Sequence, residues 1–331
     1  MVNTVLLITA YVLTLVLTYI TKVIEERKGL VAPDAHKPKR PLIPKVGGIS
    51  LLIVFTVLTL YSLFNYLVSN GLSNYNVFAY SLSVVLAGII GLIDDFRGVG
   101  PFKKLFVFMV PALPVIALGT YSPHPFVPLV GELRLTIVYP ILIAILYSVL
   151  ANGVNMSDTQ NGTALIVVFA LLTAVGIGSL LKGPTPLSGF KEYLLFSVIA
   201  LIAYAPFNMY PAKVFNGNCG SHLMGALIAS VILMSRREFL ALMTLTPLVL
   251  NGFSILASIR GFKSKENIER PVRLTNDWRI EASKSESAPI TLVQLITLRK
   301  ALSELDVIKS YAIVYCVVTT VSLLTYYLLT H

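Results

Sequence analysis

The stretch Gly88-Ile89-Ile90-Gly91-Leu92-Ile93-Asp94-Asp95-Phe96-Arg97 decides how this chain is read. No residue between Val46 and Ile93 carries a charge, and the run then ends in two adjacent carboxylates. Like charges side by side repel unless a cation or a proton holds them. An apolar span ending this way marks where membrane meets water. The acid pair at that boundary is a candidate for divalent-metal or phosphate chemistry. Taken alone, a solvated helix end explains it equally well, so the other loops have to decide.

Working outward, runs of the same kind recur. They are Val2–Thr21, Val46–Val68, Val77–Ile93, Leu105–Gly119, Leu135–Asn155, Thr163–Leu181, Tyr193–Ala212, Gly220–Ser235, Phe239–Ile259 and Ser310–Leu329. A span needs about 20 apolar residues. The runs predict an all-α polytopic membrane protein with about ten transmembrane helices. The composition agrees, at 56% hydrophobic and 13% charged over 331 residues, which excludes an ordinary soluble enzyme. Residues 1–331 read as a single integral membrane domain, with 260–309 a cytosolic substrate-binding loop within it. The first run lacks a basic leader and is long enough to span, so it reads as a retained helix rather than a cleavable signal. Two cysteines, Cys219 and Cys316, make no disulfide framework.

The charge is unevenly placed. With the connections between runs numbered one to nine, the odd ones hold 21 of the 26 Lys and Arg residues and the even ones five. The positive-inside rule then puts the odd connections in the cytosol and both termini outside. Topology accounts for the formal charge of +10 better than a nucleic-acid partner does. The expected counterions are lipid head groups and phosphates.

The odd connections are also the ones with chemistry. The first, Asp34-Ala35-His36-Lys37-Pro38-Lys39-Arg40-Pro41-Leu42-Ile43-Pro44-Lys45-Val46-Gly47-Gly48, is stiffened by three prolines and ends in a glycine pair at a helix start. It is a candidate phosphate cradle, with Lys37 and Gly48 as contacts; an ordinary positive-inside loop is the plainer reading. The third puts Lys103 and Lys104 at the start of the next helix, where the dipole disfavours cations, within reach of the aspartates. The fifth, Asn152-Gly153-Val154-Asn155-Met156-Ser157-Asp158-Thr159-Gln160-Asn161-Gly162-Thr163, is dense in amides, which are hard oxygen ligands and readers of base edges. The seventh carries Asn216-Gly217-Asn218-Cys219-Gly220-Ser221-His222, with glycines that let backbone N–H groups face an anion. A lone His222 on an apolar helix reads as a satisfied interior residue. The ninth alternates apolar and polar residues from Arg270 to Ile280, which predicts a short hairpin. There Arg270, Arg273 and Arg279 suit phosphate oxygens. Thr291 and Gln294 then form a capping box opening an amphipathic helix that carries Leu292, Leu295, Ile296, Leu298, Leu302 and Leu305. Five independent loops would share one membrane face by chance about once in sixteen. A water-soluble anionic substrate on that face, with a lipid as the second substrate, is the expectation.

These residues resemble the polyprenyl-phosphate N-acetylhexosamine-1-phosphate transferase superfamily, nearest its eukaryotic and archaeal UDP-N-acetylglucosamine–dolichyl-phosphate branch. The match runs in order from Asp34 to Arg279. The resemblance implies ten helices, both termini outside and a cytosolic site in a plasma membrane of archaeal type or the endoplasmic reticulum. Gly91-Leu92-Ile93-Asp94-Asp95 looks like the Asp-Asp motif, one of whose acids engages or deprotonates the lipid phosphate. Lys104 looks like the phosphate-contacting lysine that follows it. Asn155 with Asn161-Gly162 looks like a motif supplying a Mg²⁺ ligand and then a uridine contact. Val214 to Ser221 looks like Phe-x-Gly-Asp-x-Gly-Ser. Arg270 and Arg273 look like the arginines that hold the sugar diphosphate. The implied catalytic set is Asp94, Asp95 and Lys104. The implied metal set is Asn155, Asn218 and Asp95 around Mg²⁺, with Mn²⁺ a substitute. The implied partners are a UDP-sugar and a polyprenyl phosphate lipid in the membrane, and a homodimer is compatible with this. Two departures stand out. Asn218 occupies the position of the motif's metal-binding aspartate, with Asp158 a candidate to compensate. The His-x-His-His pattern of the bacterial branch is missing, which favours UDP-N-acetylglucosamine as donor. The rival readings are a catalytically weak member that only binds, a secondary transporter and a CDP-alcohol phosphotransferase. The spans are nearly free of charge and show no internal repeat, against a transporter. The four-acid cluster of the last type is absent.

Overall fold

A computed structural model describes residues 4–261 and 268–331. Lys263 and Lys265 of the ninth connection, and the first residues of the Val2 run, lie outside the described residues. The helices are α1 (Thr4–Arg27), α2 (Ile49–Ser69), α3 (Leu72–Arg97), α4 (Pro101–Val107), α5 (Leu113–Ala117), α6 (Tyr139–Ser157), α7 (Thr163–Gly178), α8 (Phe190–Asn208), α9 (Gly217–Ser235), α10 (Glu238–Thr244), α11 (Thr246–Ser258), α12 (Leu292–Ile296) and α13 (Glu304–Thr330). Three antiparallel two-stranded ribbons sit in the loops: β1 (Val31–Pro33) with β2 (Leu42–Pro44), β3 (Phe126–Val127) with β4 (Gly131–Glu132), and β5 (Val272–Leu274) with β6 (Ile280–Ala282). The last pair is the hairpin expected from the alternation, with Arg273 opposite Glu281.

Seven of these helices are long and apolar enough to cross a membrane, or eight if α10 and α11, bent by 60° at their junction, form one span. The expected count of ten is therefore not reached by length. Two of the ten runs account for the difference. The Leu105–Gly119 run contains Pro111 and Pro114, which lack the N–H that a continuing helix needs. It breaks into α4, a 3-10 turn at Val110–Ala112, and α5. The Thr163 run gives α7 with 16 residues, below the crossing length. The amphipathic helix is also shorter than expected. Thr291 caps α12 by accepting the Gln294 N–H at 3.1 Å, but the helix ends at Ile296. Leu302 instead bridges to Ile280.

α9 is the centre of the bundle, buried at every residue from Cys219 to Ser235. Its small residues make this packing feasible, since backbones approach closely only where side chains are minimal. A methyl group on Gly225 would stand 2.4 Å from the Ala151 Cα in α6. One on Gly91 of α3 would stand 2.4 Å from the Asn218 carbonyl oxygen. α1 and α13 lie at the periphery, with only 17% and 22% of their apolar windows buried.

The even connections gather at the far end of the bundle. Arg236 reaches Glu132 at 2.6 Å, and the Asn76 amide donates to the Ser188 carbonyl at 2.9 Å. A cavity of about 420 Å³ opens at that end among Leu7, Leu58, Asn65, Asn74 and Glu192. The odd connections gather at the other end, where the acid pair lies.

Candidate active site

α3 delivers Asp94 and Asp95 in its last turn, but the two carboxylates do different things. Asp94 is buried. It pairs with the Lys104 ammonium of α4 at 2.5 Å and accepts the Val99 N–H at 2.6 Å. Asp95 accepts the N–H groups of Asn218 and Cys219 at 2.8 and 2.9 Å. These are orphan donors at the start of α9, and an acid is favoured there by the helix dipole. Asp95 therefore caps α9 from another helix. Its other lone pairs keep it able to ligate a cation.

Behind Asp94 lies His222, which is fully buried in α9. Its ring stacks on Phe108 at 3.8 Å between centroids, and its Nδ1 lies 3.0 Å from the Ala151 carbonyl. A carbonyl only accepts, which assigns the Nδ1 proton. Nε2 then faces the Asp94 carboxylate at 3.8 Å. Reading His222 as an interior residue missed this neighbour, because sequence spacing alone does not bring α9 beside the end of α3.

One turn of α9 earlier sits the amide pair. The Asn155 amide donates to Asn218 Oδ1 at 2.9 Å and to Ser221 Oγ at 2.8 Å. Both asparagines are half-buried. Asp158 is close by, and both its oxygens accept from the Asn216 amide at 3.0 Å. Asn216 Oδ1 in turn accepts from the Tyr204 hydroxyl at 3.0 Å. Asp158 thus ties the fifth connection to the seventh.

The glycine pair behaves differently from the expected phosphate cradle. The Gly47 and Gly48 N–H groups donate to the carbonyls of Phe215 and Asn216 at 2.9 and 3.1 Å. A methyl group on Gly48 would stand 2.3 Å from the Gly220 backbone. These N–H groups are spent on docking the first loop against α9, so Gly48 is a close-packing residue and not an anion contact.

The first loop meets the fifth and ninth connections around Lys37. Asp34, itself buried, pairs with the Lys37 ammonium and accepts from the Asn161 amide at 3.1 Å. Lys37 also pairs with Glu304 at 3.3 Å and lies 5.0 Å from the Tyr210 ring centre. The ligand atoms of Asp34, His36 and Glu304 lie within 4.8 Å of one another. Burial lowers the His36 pKa, opposed by Glu304 and Asp34 and reinforced by Lys37 and Arg270. Arg40 stacks over Trp278, centre to centre 5.7 Å. Arg273 pairs across its hairpin with Glu281 at 3.0 Å and is exposed. Gly162 adopts φ +81° as the residue before α7. Asp34 and Glu304 were not singled out by sequence. Glu304 stands in the first turn of α13, behind the Ser303 cap.

Asn155, Asn218 and Asp95 offer the hard oxygen donors that suit Mg²⁺, with Asp95 the only charged group among them. The residues fit such an ion as a charge-poor site. The arrangement as a whole is a polytopic membrane protein whose alternate loops bring acids, amides and a lysine together at one end.

The sequence comparisons give this arrangement a family. The model of glycosyl transferase family 4 matches residues 77–236. A Saccharolobus solfataricus protein provisionally named UDP-N-acetylglucosamine–dolichyl-phosphate N-acetylglucosaminephosphotransferase is 30% identical over 221 residues, covering 65% of this chain and 67% of the relative. A Sulfolobus acidocaldarius protein with the same provisional name is 27% identical over 227 residues, covering 68% of each. A Streptococcus thermophilus phospho-N-acetylmuramoyl-pentapeptide-transferase is 30% identical over 237 residues, covering 66% of this chain and 67% of the relative. The chain belongs to glycosyl transferase family 4 and is an integral membrane phosphosugar transferase.

Proposed function

We propose that the protein transfers N-acetylglucosamine 1-phosphate from UDP-N-acetylglucosamine to a polyprenyl phosphate of the dolichyl type, giving the polyprenyl-diphosphate sugar and UMP. The observation that carries this reading is the Lys104–Asp94 pair next to the Asn155–Asn218 amide pair, on loops converging at one end of a membrane bundle. The archaeal relatives, named for that donor and acceptor, support it, as does the missing His-x-His-His pattern.

In this reading a phosphate oxygen of the lipid attacks the sugar-linked phosphorus of the donor. The bond from that phosphorus to the bridging oxygen breaks, and UMP leaves with the electron pair. A phosphate dianion is already nucleophilic, so the chain need move little proton. Its work is positioning and charge. Asp94 holds the Lys104 ammonium at the depth where an apolar chain with an anionic head would emerge, and Lys104 meets that head. Asn161 and Gly162 face the uridine, with Asp34 fixing the Asn161 amide. Arg270 and Arg273 lie on the outer loop that would cover the diphosphate. Asn155, Asn218 and Asp95 would hold Mg²⁺. When bound, the ion supplies Lewis-acid stabilisation of the diphosphate oxygens. A cytosolic location for this end follows from the charge bias of the loops.

The test is the purified chain with polyprenyl phosphate and a small panel of UDP-sugars. UDP-N-acetylglucosamine should be the preferred donor, and Asp94→Asn should lower turnover by about a hundredfold or more through loss of Lys104 positioning. Turnover that survives both Asp94→Ala and Asp95→Ala sinks the assignment.

A further inference from the structure

We propose that this protein keeps no divalent ion in its resting state and takes the ion in with the donor's diphosphate, as one complex. This rests on the phosphotransferase reading above and adds an order of binding to it. Between α6 and the start of α9 the side chains that meet are both amides, Asn155 and Asn218, and they are hydrogen-bonded to each other at 2.9 Å. An amide oxygen coordinates a hard cation but brings no charge. The carboxylates around the amides already face a cation or hydrogen-bond donors of the protein. Asp94 faces the Lys104 ammonium at 2.5 Å. Asp95 faces two N–H groups at the start of α9. Asp158 accepts the Asn216 amide on both oxygens. Among the described residues, the one group of three acids or histidines close enough to grip an ion together is Asp34, His36 and Glu304. There the Lys37 ammonium already pairs with both acids.

Magnesium gives up its water reluctantly and is held by one or two carboxylates together with substrate phosphates. Here the charge missing from the protein side must come from the diphosphate. Binding of ion and nucleotide is then strongly coupled, and the coupling is reciprocal. The residue that sets this order is Asn218, where the family's motif has an acid.

Equilibrium dialysis of the full purified chain against Mn²⁺, with and without UDP, reads this directly as protein-retained metal and protein-retained UDP. Without UDP the protein should retain little Mn²⁺, and UDP should tighten its retention by about tenfold or more, as ligand charge tunes such sites. Asn218→Asp, which keeps the side-chain shape, should retain Mn²⁺ without UDP about tenfold more tightly than the unaltered chain. If the unaltered chain alone holds Mn²⁺ as tightly as it does with UDP, the inference is overturned while UDP retention leaves the transferase reading standing. If neither form retains UDP with Mn²⁺ present, the donor reading fails and this inference fails with it. Should Asn218→Asp not fold, the comparison of the unaltered chain with and without UDP decides alone.

Discussion

At Gly91 the chain has no room for one more carbon. An added Cβ would lie 2.4 Å from the Asn218 carbonyl oxygen, a backbone atom that cannot swing aside. Gly91→Ala should push the start of α9 away from Asp95, cost about 1–3 kcal/mol of stability and lower turnover more than the loss of folded protein explains. Melting curves and single-turnover rates on the same preparation check this. His36 gives a pH signature. Burial lowers its pKa in the folded chain, so the unfolded chain binds its proton more readily as pH falls. The stability it contributes is fully present above its ordinary value near 6.5 and is lost as pH falls through the lower folded value. Asp34, Glu304, Lys37 and Arg270 face it, and His36→Gln should flatten the acid side of a melting-temperature profile as pH falls below the ordinary histidine value. At this scale the sequence was legible where a residue type is rare in its setting. Asp94, Asp95 and the asparagines announced themselves within apolar runs. Asp34, Glu304 and His222 did not, because their roles come from neighbours far away in the chain.

Among the elements, α13 shows how a membrane bundle turns the usual pattern over. Tyr311, Tyr315, Thr319, Ser322 and Tyr326 are its buried stripe, while Ile313, Val317, Val321, Leu324 and Leu328 are exposed. Hydropathy marks such a helix as a span but does not say which face turns inward, so only its existence was readable. The broken α4–α5 segment is the converse case. Its composition is that of a span, and its prolines set where it breaks. At the far end Arg237 closes α7, donating to the carbonyls of Gly178, Leu181 and Pro184 at 2.9, 3.3 and 2.7 Å. It also lies over Tyr326 of α13. Arg237→Ala takes its three hydrogen bonds from those carbonyls, of which Gly178 still accepts the Leu181 N–H at 3.2 Å, and should cost on the order of 3 kcal/mol. The melting temperature should drop while turnover per folded molecule stays near normal, because the residue lies at the end away from the reacting groups. A large loss of turnover at unchanged stability would contradict that division.

For the whole molecule, the decisive regularity is parity. Lys104, Asn155, Asn218, Asn161 and Lys37 come from the third, fifth, seventh, fifth and first connections, and the contacts Asp95–Asn218, Asn161–Asp34, Asp158–Asn216 and Lys37–Glu304 bring those loops to one end. The count of spans was the weaker part of the sequence reading, because proline breaks and a short α7 change length without changing which end each loop reaches. The nucleotide released is the most direct test of the chemistry claimed for that end. Purified protein, given UDP-N-acetylglucosamine labelled in both phosphates, polyprenyl phosphate and Mg²⁺, should release UMP and leave one labelled phosphate on the lipid beside the one it already carried. Release of UDP with an unlabelled lipid phosphate, or no lipid-dependent release at all, would contradict attack at the sugar-linked phosphorus.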